Sequence, residues 1–483
     1  MKDITPQIWE YFEEICRIPR PSKKEEKICA YIRQFAENHQ LAYQQDEAGN
    51  IVICKPATPG KEHLPGIILQ SHVDMVCEKN SDVCHNFDTD PIDHYIDGDW
   101  VKARGTTLGA DDGIGIAAML AVLADTDIAH GQLEALFTVD EETGLTGANA
   151  LQTGFLTGNI LINLDSEDEG ELFIGCAGGI DTVATLRYKH KDIPSDSIAY
   201  KLFISGLTGG HSGDDIHKRR GNAIKILNHI LLECSGMYGI SLCRFEGGNL
   251  RNAIPREASA VVVVDRSCGN DFEQFCIKEA QVWKDSLMTT SPEFCFAIEP
   301  CDMPEFIMDI LNQSCLLNLL AECPSGVISM SETIPGLVST STNIASVKFT
   351  GENTITVTTS QRSDSEEAKA NINHRVRQIF TMMDAEVQSS DGYPGWTPNP
   401  QSPILETTKA AYLELFGKEP VVRAIHAGLE CGLFLEKYPQ LDMISFGPTI
   451  KNVHSPSEKL QISSVKRFAE LLLKVLEESH EEF

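Results

Sequence analysis

Apolar and polar positions follow two different periods along this chain, and the switches between them mark out its elements. Near the start, Ile8, Trp9, Phe12 and Ile15 recur at helical spacing with acidic residues between them, which predicts an amphipathic helix. Three later segments read as buried strands that end in acids or histidine: "GIILQSHVD", "LEALFTVDEETG" and "NILINLDSEDEG". A helical stretch, "DDGIGIAAMLAVLADTD", lies between the first two. Strands alternating with helices predict an α/β layer with a largely parallel sheet. Sites in such sheets form beyond the carboxyl ends of the strands, where all three acidic tips fall. Only Val73 separates His72 from Asp74, so on an extended backbone both side chains point the same way.

After "GCAGGID" the pattern changes. "VATLRYKH", "YKLFISGL", "ASAVVVVD" and "NTITVTTSQRS" read as strands of an antiparallel sheet, and "GNAIKILNHILLEC" and "SEEAKANINHRVRQIFTMM" as its helices. "SSDGYPGWTPNPQSP" has the composition of a return linker. Beyond it, "DMISFGP" and "SSVKRFAELLLKVLEES" resume the first style. The expected fold class is α/β: a discontinuous domain formed by 1–183 and 394–483, with an α+β domain, 184–393, inserted in it.

Composition narrows the function classes. The chain has 483 residues, too many for one ordinary domain, and 40 Lys plus Arg against 70 Asp plus Glu give a net charge of −30. That charge argues against nucleic acid or an anionic membrane as partner, and it draws cations. The N-terminus has no apolar signal-peptide core, and no stretch is long enough to span a bilayer. Fifteen scattered cysteines without a C-x-x-C pair read as free thiols of a reducing compartment. The cytoplasm is the expected location.

Two-metal hydrolytic sites need carboxylates and imidazoles, one of them shared between ions roughly 3.5–4 Å apart, and an acid/base group beside them. His72, Asp111, Glu142, Asp165 and His454 offer that set. Taken singly, each has a plain structural explanation: a strand-end histidine, an N-cap turn in "GADDG", or solvated acids. Clustering at strand ends is what favours the metal reading. Adjacent side chains at a strand end point to opposite faces, so Glu141 and Glu142 are expected to divide their tasks.

The blocks "SHVDMV", "TLGADDGIG", "VDEETG", "ILINLDSEDEGE", "CAGGID", "GGHSG" and "HAGLECG" resemble the aminoacylase/carboxypeptidase superfamily of co-catalytic zinc peptidases. Within it they resemble most the aminoacyl-histidine dipeptidase (PepD) branch, over essentially the whole chain. The resemblance implies a di-zinc catalytic domain carrying an inserted lid, and hydrolysis of unblocked dipeptides, Xaa-His or broader, by a metal-bridging water. It implies two zinc ions per subunit, with cobalt or manganese as substitutes. His72 and His454 would each bind one ion, Asp111 would bridge both, and Glu142 and Asp165 would complete the sets. Asp74 would orient His72, and Glu141 would be the general base. His211 would hold the oxyanion, Arg362 the substrate carboxylate, and Asn252 would lie near the carbonyl oxygen. It also implies a cis peptide at Asp111–Asp112 and a homodimer. Many relatives have Asn where this chain has Asp112. Two other readings are an N-acyl amino acid deacylase or desuccinylase of the same fold, and an inactive metal-binding protein. The long insertion and the branch-specific blocks disfavour the first. Competent residues at every required position disfavour the second.

Overall fold

The continuous apolar runs become the central strands of one sheet in the computed structural model, which describes residues 2–332, 334–351 and 353–478. All six residues of Ile67–His72 are buried, as are all six of Leu133–Thr138 and all four of Ile160–Asn163. A strand paired on both edges and covered on both faces has no polar side, so its sequence does not alternate. Ile67–His72 runs parallel to both Leu133–Thr138 and Ile160–Asn163, and the latter runs parallel to Asp442–Ser445. The flanks are antiparallel: Ile51–Lys55 against Leu133–Thr138, and Glu171–Cys176 against Asp442–Ser445. The helix Ala110–Ala124 is buried almost throughout and packs on Ile67–His72 and on the helix Thr5–Cys16. Ile8, Phe12 and Ile15 form the buried stripe of Thr5–Cys16, as their spacing predicts.

The chain divides into two compact units, 1–175 with 396–424 and 429–483, and 176–395 with 425–428. The first changeover precedes the expected 183/184 because Gly178–Arg187 already pairs with Thr354–Ser363 in the second unit's sheet. The tetrapeptide 425–428 also belongs to the second unit. That unit is built on a nine-stranded sheet. Alternate residues of its strands, among them Tyr200, Leu202, Ile204, Ala260, Val262 and Val264, join one apolar core. The helices Ala223–Tyr238, Gly269–Ser286, Ile310–Glu322 and Glu366–Met382 supply the rest of that core.

Candidate active site and metal centre

Because the central strands are parallel and in register, their carboxyl ends present one row of loops. His72 ends its strand opposite Thr138, the last residue of the neighbouring strand. Asp140, Glu141 and Glu142 follow Thr138, and Asp165 follows the end of Ile160–Asn163.

The loop after Thr138 is tightly folded. Asp140 adopts a left-handed conformation at φ +52° and accepts hydrogen bonds from the hydroxyls of Thr143 and Thr146. Gly147 closes the loop, and a Cβ there would lie 2.4 Å from both Val139 O and Asn50 Oδ1, so only glycine fits. The expectation that Glu141 and Glu142 sit at a strand end is corrected here. The strand stops at Thr138, and the two residues open a one-turn helix, Glu141–Gly144. Their separation of tasks therefore rests on the turn of a helix.

Asp74 organises this region. Its Oδ1 lies 3.3 Å from His72 Nδ1 and accepts from Glu141 N at 3.0 Å. Its Oδ2 accepts from Ser22 Oγ at 2.7 Å and Glu142 N at 3.2 Å. Burial would raise its carboxyl, but His72, Ser22 and the Glu141 amide outweigh burial and hold it at about 2. One carboxylate thus orients an imidazole and fixes the backbone of both glutamates. Buried Arg20 ties the adjoining segments together, donating to the carbonyls of Val73, Asp74 and Gly109.

With Nδ1 turned to Asp74, His72 directs Nε2 at Asp111 Oδ1, 3.0 Å away, and at Asp165 Oδ1, 3.6 Å away. His454 Nε2 lies 3.1 Å from Asp111 Oδ2 and 3.0 Å from Glu142 Oε2. The two oxygens of Asp111 therefore face two different imidazoles, each accompanied by one further carboxylate. This divides the donors into two sets, His72 with Asp165 and His454 with Glu142, sharing Asp111.

The electrostatics suit divalent cations. Burial pushes Glu141 and Asp165 well above the usual carboxylate range, and neighbouring carboxylates add to it. Burial alone would lower both histidines, yet the carboxylates around them hold His72 well up and push His454 to about 11. Glu142 Oε1 is buried with no hydrogen-bond partner. His72, Asp111 and Glu142 each offer a ligand atom within 4.8 Å of the others. Imidazole and carboxylate donors, a shared carboxylate and an orphaned carboxylate oxygen fit a pair of borderline divalent ions. The Asp111–Asp112 peptide is cis, as the resemblance implies. Asp112 is buried and accepts from Ser71 Oγ at 2.5 Å, and burial with the neighbouring Asp111 pushes its carboxyl to about 7.

Residues 68–478 match the model of peptidase family M20/M25/M40. The chain belongs to peptidase family M20/M25/M40. Among M20/M25/M40 relatives, the cytosol non-specific dipeptidase of Escherichia coli (strain K12) is 40% identical over 479 residues, covering 99% of each chain. The crystal structure of aminoacylhistidine dipeptidase from Vibrio alginolyticus superposes with a TM-score of 0.90 at 41% identity, over 100% of this chain and 99% of that one. The aminopeptidase PepT structure from Bacillus cereus ATCC 10987 shares the fold, with a TM-score of 0.59 at 17% identity over 98% of each chain.

The remaining sequence candidates lie in the second unit. Arg362 is buried, donates from Nη1 to Tyr393 Oη at 2.8 Å, and has an unpartnered buried Nε. His211 Nδ1 lies 3.4 Å from Asp214 Oδ2. Burial would raise Asp214, but His211 and then Arg362 lower it. Asn252 is exposed, and its carbonyl accepts from Ser212 N at 2.7 Å.

Several residues gave no sequence signal as participants. Arg20, Ser22 and Tyr393 act through partners distant in sequence. The "HAGLECG" block carries no role legible in its sequence, and its two ends belong to different units. His426, in the second unit, is buried, contacts Ser341 Oγ at 2.7 Å through Nε2, and is pushed down to about 3 by burial and then Arg362. Glu430, in the first, accepts from Gln70 Nε2 at 2.6 Å and Thr138 Oγ1 at 2.8 Å, and burial pushes it up to about 7.

Proposed function

We propose that this M20/M25/M40 peptidase is a cytosolic, homodimeric di-zinc dipeptidase acting on unblocked dipeptides, of Xaa-His type or broader. The observation that carries the proposal is the sharing of Asp111 between His72 and His454, each with its own second carboxylate. The 40% identity over the whole length to a named dipeptidase supports the substrate class. That relative's name includes the cytosol. Among the described residues no helix is long and apolar enough to cross a membrane. The dimer rests on family resemblance.

His72, Asp165 and Asp111 would hold one ion, and His454, Glu142 and Asp111 the other. Two divalent ions bound there supply Lewis acidity, polarising the peptide carbonyl and lowering the pKa of water. Glu141 then takes a proton from the attacking water and returns it to the leaving amine, its backbone fixed by Asp74. His211 stabilises the oxyanion of the tetrahedral intermediate. Arg362 receives the substrate's free carboxylate, for which a buried guanidinium with an unpartnered N–H is suited. Asn252 is assigned next to the carbonyl oxygen.

The test is a panel of dipeptides, including Ala-His and β-Ala-His, beside N-acetyl amino acids, given to zinc-loaded protein and followed by amino-acid release. Release from dipeptides alone is expected. Release only from N-acetyl amino acids would replace the proposal by a deacylase.

A further inference from the structure

One buried carboxylate near this centre has no role in the chemistry above. Glu458 stands four residues beyond His454, and its side chain is only 2% exposed. Its Oε2 accepts from Leu108 N at 2.7 Å and Gly109 N at 3.0 Å, and its Oε1 from Ala110 N at 2.8 Å and Asp111 N at 3.4 Å. Four consecutive main-chain amides thus converge on one side chain, and the last belongs to the carboxylate shared by both donor sets.

Those amides need an outside acceptor. The first N–H groups of a helix have no partner within it, and this helix begins irregularly. Gly109 is left-handed at φ +69°, and Asp111 and Asp112 depart from helical angles. Buried amides left without acceptors are costly, so Glu458 holds the segment in the one conformation that satisfies all four.

The same residue anchors the turn that carries His454. His454 is half exposed and has a left-handed backbone at φ +58°, so little packing holds it locally. Glu458 N donates to Ser455 O at 3.0 Å, closing the turn. The next residues, Lys459–Gln461, pair with Trp100–Ala103. Asp111 and His454 come from segments 343 residues apart, and Glu458 is bonded to the first while lying on the second.

We infer that Glu458 is a positioning residue that sets the spacing of Asp111 and His454, and with it the affinity of the site for its ions. The inference rests on the two-ion reading above. A carboxylate suits this place because both of its ends are acceptors. An amide in its place turns one end into a donor that faces two N–H groups.

The test measures binding of Co2+, using wild type and E458Q. Affinity is read by competition with a chromophoric chelator, the ligand field by the visible spectrum of the bound ion, and folding by melting of the metal-free protein. Wild type is expected to take up two ions. Outer partners of metal ligands typically contribute about 10–100-fold in affinity, and E458Q should lose that much with an altered cobalt spectrum. If E458Q does not fold, E458D retains the charge but withdraws it by one methylene, and it is read in the same way. A folded variant that binds both ions with wild-type affinity and spectrum, changed only in melting temperature, would show a merely structural cap and overturn the inference. Wild type that takes up fewer than two ions would instead overturn the two-ion reading, and this inference with it.

Discussion

Asp74→Asn changes no shape but reverses the polarity of one atom, at a carboxylate whose two oxygens meet four groups. The asparagine oxygen is expected on the side of His72 and the Glu141 amide, because both must donate there. Its NH2 then faces Ser22 and the Glu142 amide. The Ser22 hydroxyl can turn and accept, but the Glu142 N–H meets another donor. One hydrogen bond to a charged acceptor is lost, worth about 1.5–3 kcal/mol. At 1.36 kcal/mol per factor of ten, that corresponds to roughly 10–100-fold in turnover. The loss should appear mainly in kcat, with reduced occupancy both of the ion on His454 and Glu142, whose amide has lost its acceptor, and of the ion on His72, whose ring has lost its charged partner. Steady-state kinetics on a free dipeptide, beside elemental analysis of the dialysed protein, measure both. Asp74→Asn with two ions and wild-type kcat would refute the claim that this carboxylate fixes the base and the ligand.

Glu141→Gln keeps size and polarity but takes up no proton, so it should bind two zinc ions and dipeptide while losing nearly all turnover; loss of zinc instead, with Glu142→Gln retaining both ions but inactive, would reverse the two roles. Arg362→Ala should damage hydrolysis of free dipeptides, whereas C-terminally amidated dipeptides, poor substrates for the wild type, should respond little; equal loss on both would make Arg362 structural. Folded His426 takes a proton only near 3, while in the unfolded chain it does so near 6.5, so its contribution is complete above 6.5 and falls as pH drops toward 3. Relative to His426→Gln, the wild type should therefore lose about 1.4 kcal/mol of stability per pH unit below 6.5, and a pH-independent difference in denaturant titrations would contradict the assignment.

Much of the first unit was legible because its signals are local. Ile67–His72, Leu133–Thr138 and Ile160–Asn163 are short apolar runs closed by ligand-type residues, and the strand-end rule alone gathers His72, Glu142 and Asp165. What periodicity missed was the exact end of a strand, so Glu141 and Glu142 were expected on a strand and lie on a helical turn. Arg20, Ser22 and Glu458 were invisible for a different reason. Their partners are largely main-chain groups, which have the same chemistry at every position, and they come from 52 to 350 residues away. Nothing in a side-chain pattern marks an acidic residue in "HSPSEKL" as the acceptor of amides near Gly109. The joining of 425–428 to the second unit was equally hidden, since "HAGLECG" reads as one continuous loop.

Crystals of the zinc-loaded protein test the division of donors around Asp111 most directly. Anomalous difference maps at the zinc edge should show two peaks, one bounded by His72, Asp165 and Asp111 Oδ1, the other by His454, Glu142 and Asp111 Oδ2. A single peak, or a second peak not ligated by Asp111, would contradict it.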